Sequence, residues 1–170
     1  MKFVNLRTPH STSVLAALAF GSAIGLAGFV TLLHAAGDLS RQDPITVTVD
    51  LGAPGKHEFI PSKLRFETGK LYKLVLRNSS DAPHYFTSHA FSAMVWTRKA
   101  QVTLPQGDKV VTLAEFKGPM REIEVYPGYS AEWWFVPVAA GRVTDLRCDI
   151  RGADGKTHAE QGMTGEIVIE

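Results

Sequence analysis

Three side chains that can bind a metal ion lie close together near the C-terminus. Cys148 is the only cysteine in the chain, His158 follows ten positions later, and Met163 follows five positions after that. Strand-like runs flank this loop, one ending at Cys148 and the other covering residues 164–170. Thiolate, imidazole and thioether form a soft ligand set, which suits copper that alternates between +1 and +2. A second histidine, His84, would complete such a site.

Other uses of these side chains have little support in the sequence. A single cysteine forms no disulfide within the chain and excludes a binuclear copper centre with two thiolates. There is no Cys-x-x-Cys-His motif for covalent haem, and a thioether is an unusual ligand for zinc. Cys148 and a histidine could form a nucleophilic pair, but no oxyanion or substrate-binding motif accompanies them. We therefore do not expect an enzyme.

The length and charge of the chain limit its domain organisation and its partners. The 170 residues have room for one ordinary domain and an accessory segment. The formal net charge is +1, and acidic and basic residues are scattered along the chain. This balance gives no bias towards nucleic acid, and we expect no nucleic-acid partner.

The N-terminal part contains a long apolar segment. Residues 14–36 include no Asp, Glu, Lys or Arg, and as a helix they would span about 35 Å, enough to cross a hydrocarbon core of about 30 Å. Lys2 and Arg7 precede the segment and Asp38 follows it, so the positive-inside rule predicts a cytoplasmic N-terminus. We predict that residues 1–36 are a cytoplasmic N-terminus and a single transmembrane anchor. A cleaved signal peptide is the alternative, although signal peptides usually have shorter apolar runs.

Small residues recur along one side of this predicted helix. They occur at helical spacing and allow close approach of a second helix in lipid, namely Ala17, Gly21, Gly25 and Gly28. Such packing would attach the anchor to another membrane protein. The alternative is that glycine and alanine are simply common in membrane helices.

The rest of the chain has the pattern of a β-rich domain. A polar linker, residues 37–44, precedes seven or eight short segments of β-branched and aromatic residues separated by Gly, Pro, Asn and Asp. Residues 91–101 fit either a short helix or a wrapped loop. The pattern predicts that residues 45–170 form one all-β domain, an antiparallel sandwich or barrel.

This domain resembles the cupredoxins, the blue-copper family of Greek-key β-sandwiches. The resemblance covers residues 45–170 and rests on the order and separation of several short motifs. They are residues 59–61, 64–66, 78–84, 125–128, 135–137 and 140–141, then Cys148, then residues 158–165. The tryptophans and the 91–101 segment look like those of the larger, membrane-associated bacterial members.

The resemblance implies a type 1 copper site and electron transfer. His84, Cys148 and His158 would be the equatorial ligands of one copper ion, and Met163 the weak axial ligand. In such sites the C-terminal histidine usually lies at the protein surface. The implied protein is anchored in the bacterial inner (cytoplasmic) membrane with its domain in the periplasm. Its partner would be a redox protein such as a cytochrome, or a respiratory or photosynthetic complex.

One feature departs from the family pattern. Nine residues separate Cys148 from His158, whereas two to four are common in the family. Gly and Asp residues within 152–157 could fold the extra length into a small hairpin, so that His158 returns to the metal. Otherwise the insertion displaces His158 and leaves a copper-free scaffold.

The other histidines have no comparable setting in the sequence, and they are His10, His34, His57 and His89. His89 lies five residues after His84 and is the reserve ligand if His158 is displaced.

Two further functions remain open at this point. The chain could be a copper-free structural subunit that docks on a respiratory or photosynthetic membrane complex. It could also store or deliver copper, which would require an accessible and weakly held Cu(I).

Overall fold

The computed structural model describes residues 42–170. The predicted anchor and most of the predicted linker lie outside the described residues. Within residues 42–170, no helix is long and apolar enough to cross a membrane. The first strand begins at Ile45.

The described part contains eleven strands and one short helix. In chain order they are β1 Ile45–Ala53, β2 Lys56–Ile60, β3 Lys63–Phe66, β4 Tyr72–Arg77, β5 His84–Thr87, α1 His89–Ala93, β6 Val95–Gln106, β7 Lys109–Phe116, β8 Glu122–Val125, β9 Ser130–Pro137, β10 Gly141–Arg147 and β11 Thr164–Ile169. The prediction of an all-β sandwich is confirmed, but the predicted number of strands is too low. One reason is that residues 102–113, which the sequence pattern predicts as a single extended segment, fold back at Gly107 as part of a hairpin of β6 and β7.

The strands form two sheets that are mixed rather than antiparallel. The six-stranded sheet has the order β2-β1-β4-β9-β6-β7, and the five-stranded sheet has the order β3-β11-β10-β5-β8. Two pairs are parallel, β1 with β4 and β3 with β11. The sequence could not predict these pairs, because alternation of polar and apolar residues is the same for either direction of pairing.

The core lies between the sheets and is rich in aromatic side chains. Trp133 and Phe135 project from β9 and are almost fully buried, since alternate residues of a strand face the same side. Phe135 contacts Phe66 and Phe91 edge to face, with ring centroids 5.2 and 5.1 Å apart. Burial of one such ring contributes about 1.5–3 kcal/mol to stability.

Residues 91–101 contain both a helix and a strand. The helix α1 begins after Ser88, whose side chain accepts a hydrogen bond from the N–H of Phe91. Such a cap satisfies one of the free N–H groups at a helix start. Phe91 is fully buried and fixes the helix on the core, after which β6 begins at Val95.

Candidate metal centre

Three adjacent strands of the five-stranded sheet position three of the four predicted site residues, and His158 is positioned by a loop. His84 is the first residue of β5, Cys148 directly follows the last residue of β10, and Met163 directly precedes β11. Arg147, at the end of β10, pairs with both neighbouring strands. The sheet therefore holds the ligand-bearing ends of three strands side by side.

The nine residues between Cys148 and His158 fold into a closed hairpin. Residues 151 and 157 form an isolated antiparallel bridge, which closes the turn between them. Beyond the bridge, the N–H of His158 donates to the carbonyl oxygen of Ile150, and the N–H of Ala159 donates to that of Cys148, each at 2.8 Å. The extra length is thus contained in the hairpin, and His158 returns beside Cys148.

A tight turn then leads from His158 to Met163. Thr157 and Glu160 hold its start through reciprocal hydrogen bonds, including one of 2.6 Å from the Thr157 N–H to the Glu160 carboxylate, as in a capping box. The N–H of Met163 donates to the carbonyl oxygen of His158 at 2.8 Å, and the N–H of Cys148 donates to that of Met163 at 3.2 Å. The backbones of these three site residues are therefore directly linked.

The ligand atoms of His84, Cys148 and His158 converge. The two Nδ1 atoms are 3.1 Å apart, and the Cys148 Sγ lies 3.8 Å from Nδ1 of His84 and 3.5 Å from Nδ1 of His158. A point equally distant from the three atoms is about 2 Å from each, close to the bond lengths of roughly 2.0–2.3 Å that imidazole and thiolate form with a late first-row metal. The residues present therefore fit a metal ion. The side chain of Met163 is fully buried in the same core cluster as Cys148.

His84 is fixed by a chain of hydrogen bonds behind it. Its Nε2 lies 2.9 Å from the hydroxyl of Ser80, and Ser80 is itself bonded to the amide oxygen of Asn78 at 2.7 Å. Because the Ser80 hydroxyl donates to Asn78, it accepts from Nε2–H of His84. This assignment leaves Nδ1 without a proton and free to bind a metal.

The Cys148 sulfur accepts hydrogen bonds from the backbone. The N–H of Tyr85 lies 3.2 Å from Sγ. Burial raises the pKa of the Cys148 thiol, while the N–H groups of Tyr85 and Ile150 oppose this rise. The carboxylate of Asp149 is bonded to Arg147 at 2.7 Å, which offsets its negative charge next to the thiol. Metal binding must therefore displace the thiol proton.

The two ligand histidines are neutral at physiological pH. Burial lowers the pKa of His84 to about 4, with smaller contributions from His158 and His57. Burial also lowers the pKa of His158, and His57 lowers it further. Neutral imidazoles are ready to bind metal without losing a proton.

A third histidine belongs to this site, although its sequence setting did not indicate it. The ring of His57, on β2, stacks on that of His158 with centroids 3.7 Å apart and planes 11° apart. Donor atoms of His57, His84 and His158 all lie within 4.8 Å of one another. The reserve candidate His89 is exposed at the start of α1 and is not part of this group. The hydrogen-bonded return of His158 makes a reserve ligand unnecessary.

The position of His158 differs from the expectation of a surface ligand. Only 2% of its surface is exposed, and His84 and Cys148 are fully buried. The stacked ring of His57 covers His158, while His57 itself is only partly buried. A second imidazole therefore lies over the ligand expected at the surface.

Comparison with known proteins gives structural matches only. No protein-family model and no curated protein matches the chain. A multicopper oxidase from Pediococcus acidilactici is 14% identical, with 76% of this chain and 27% of that chain covered and a TM-score of 0.51. A multicopper oxidase from Campylobacter jejuni is 16% identical, with 75% and 30% covered and a TM-score of 0.50. A reduced auracyanin from Roseiflexus castenholzii is 14% identical, with 76% and 99% covered and a TM-score of 0.45.

The oxidase matches show that the chain has a cupredoxin fold. At this level of identity the likeness extends to the fold alone, and the chain spans less than a third of either oxidase. The chain's own side chains define the site. Donor atoms of His84, Cys148 and His158 converge, and Met163 is buried in the same core cluster as Cys148.

Proposed function

We propose that this chain is a copper electron-transfer protein. The observation that carries the proposal is the convergence of two imidazole Nδ1 atoms and one cysteine sulfur in a buried position, with separations of 3.1–3.8 Å. His84, Cys148 and His158 would hold the ion, and Met163 would be its weak axial ligand. Copper held by such a ligand set gains and loses a single electron.

The protein's contribution is to hold the ligands in place before the metal arrives. Ser80 fixes the ring of His84, and the backbone hydrogen bonds beyond the hairpin fix His158. Because these bonds do not involve the metal, the ligands need not rearrange when its charge changes. The Tyr85 N–H group bonded to the sulfur is placed to tune the reduction potential.

The cellular setting is part of the proposal. The apolar segment 14–36 would anchor the chain in the bacterial inner membrane, and residues 45–170 would lie in the periplasm. The partner would be a cytochrome or a respiratory or photosynthetic complex, and Gly21, Gly25 and Gly28 would pack against a helix of that complex. The charge pattern of residues 1–38 and the small-residue spacing support this setting.

The decisive experiment is copper loading of the full chain. We expect one copper per chain, a visible thiolate-to-copper absorption band and one-electron reduction by a small reductant. Cys148→Ala should abolish the band because it removes the thiolate, whereas the matched change His89→Ala at an exposed histidine should leave it intact. A colourless, copper-free wild-type protein after loading would refute the proposal and support a structural subunit.

A further inference from the structure

His57 is the most solvent-accessible member of the histidine cluster. It lies near the start of β2, after the turn at Gly55, and is partly exposed. Its ring stacks on His158 and meets the ring of His84 edge-on, with centroids 5.5 Å apart. Since His84 and His158 are buried, His57 lies between the inner ligands and solvent.

One nitrogen of His57 lacks a hydrogen-bond partner. Its Nδ1 is buried and finds no partner among the residues that the structure describes. A buried polar atom without a partner costs about 1–3 kcal/mol. Hydrogen bonding within the fold therefore does not account for an imidazole at this position, whereas a metal ion would use its free donor.

The stacking geometry argues against His57 as a permanent ligand beside His158. The lone pair of an imidazole nitrogen lies in the ring plane, and the two planes are nearly parallel at a centroid distance of 3.7 Å. An ion in the plane of His158 would lie well out of the plane of His57, beyond a bond length of about 2 Å. The same proximity allows an ion to pass from one ring to the other, since donor atoms of the cluster lie within 4.8 Å of one another.

We propose that His57 is the first ligand to bind incoming copper and that it passes the ion to His158, His84 and Cys148. The inference rests on the proposed copper function and deepens it. In the transfer, the ion exchanges the His57 nitrogen for the inner nitrogens and the thiolate. The Cys148 thiol releases its proton to water, and no electron is transferred.

The test is the rate at which the metal-free full chain acquires copper. His57→Phe keeps a ring that can stack on His158 but removes both nitrogens, so we expect band formation to be about tenfold slower, with the same final band. Removal of copper by a chelator should slow by a similar factor, because the ion leaves by the same route. His89→Phe, which removes an exposed histidine outside the cluster, should load at the wild-type rate.

The results distinguish failure of the role proposed for His57 from failure of the proposed copper function. Loading of His57→Phe at the wild-type rate would overturn the receiving role, and a shifted band or altered copper content would identify His57 as a permanent ligand instead. If His57→Phe does not fold, as judged by urea unfolding, His57→Leu serves as the second variant with the same expectations. A wild-type chain that binds no copper refutes the proposed function, whereas a normal wild type with unaffected variants refutes this inference alone.

Discussion

Replacement of Gly52 by alanine should damage the metal centre by displacing His84. Gly52 has a φ of +74°, and a Cβ built on it would lie 2.5 Å from Nε2 of His84 and 3.0 Å from Cβ of Ser80. Ordinary contacts begin at 3.4 Å, so the imidazole must move by nearly 1 Å. That shift would break the 2.9 Å hydrogen bond between His84 and Ser80.

The expected cost has two separable parts. An alanine at positive φ is strained by about 1–2 kcal/mol, and the loss of the Ser80 partner leaves a buried nitrogen unsatisfied at a further cost of about 1–3 kcal/mol. Because the hydrogen bond also orients a ligand, copper affinity should fall by about 10–100-fold. Unfolding of the metal-free chain in urea measures the loss of stability. Competition with a chelator measures the loss of copper affinity.

Gly55→Ala is the matched control. Gly55 has nearly the same φ, +72°, but nothing lies within 4 Å of an added Cβ. This variant should show the backbone strain and retain wild-type copper affinity. If Gly52→Ala and Gly55→Ala have equal stability and equal affinity, the reasoning about contact with His84 is wrong.

Two other perturbations act on the same histidine. Ser80→Ala should destabilise the metal-free chain by about 1–3 kcal/mol in urea unfolding, because Nε2 of His84 loses its partner; an unchanged midpoint would contradict this. The free energy of unfolding of the metal-free chain should contain the full contribution of His84 above pH 6.5 and should fall as the pH decreases towards 4. Burial lowers the pKa of His84 to about 4, so the unfolded chain binds more protons in that window, and the loss approaches about 3 kcal/mol. Equal stability at pH 7 and pH 4.5 would rule out this explanation.

The sequence was most informative where local pattern and chemistry coincide. Alternating β-branched residues and regular turn signals predicted an all-β domain, and the structure has two packed sheets. The only cysteine, with His158 and Met163 close behind it, indicated a metal site in the loop from Cys148 to Met163. All of these are local properties, which a single sequence displays directly.

Features that depend on distant contacts were not predictable. His57 joins the site because β2 and the loop at His158 meet in three dimensions, and nothing around His57 in the sequence indicates this. The hydrogen bonds that return His158 to Cys148 are also invisible in the sequence, which offered both a folded-out hairpin and a displaced ligand. The parallel pairs joined strands far apart in the chain.

The closed hairpin between residues 151 and 157 limits the effect of loop length on the position of His158. The bridge at its base, together with the hydrogen bonds of His158 and Ala159, joins the two sides before the ligand is reached. The entropy of closing a loop grows only slowly with its length, so this segment can lengthen or vary in sequence while the ligands stay in register. A longer turn between residues 151 and 157 should therefore leave the arrangement of His84, Cys148 and His158 unchanged.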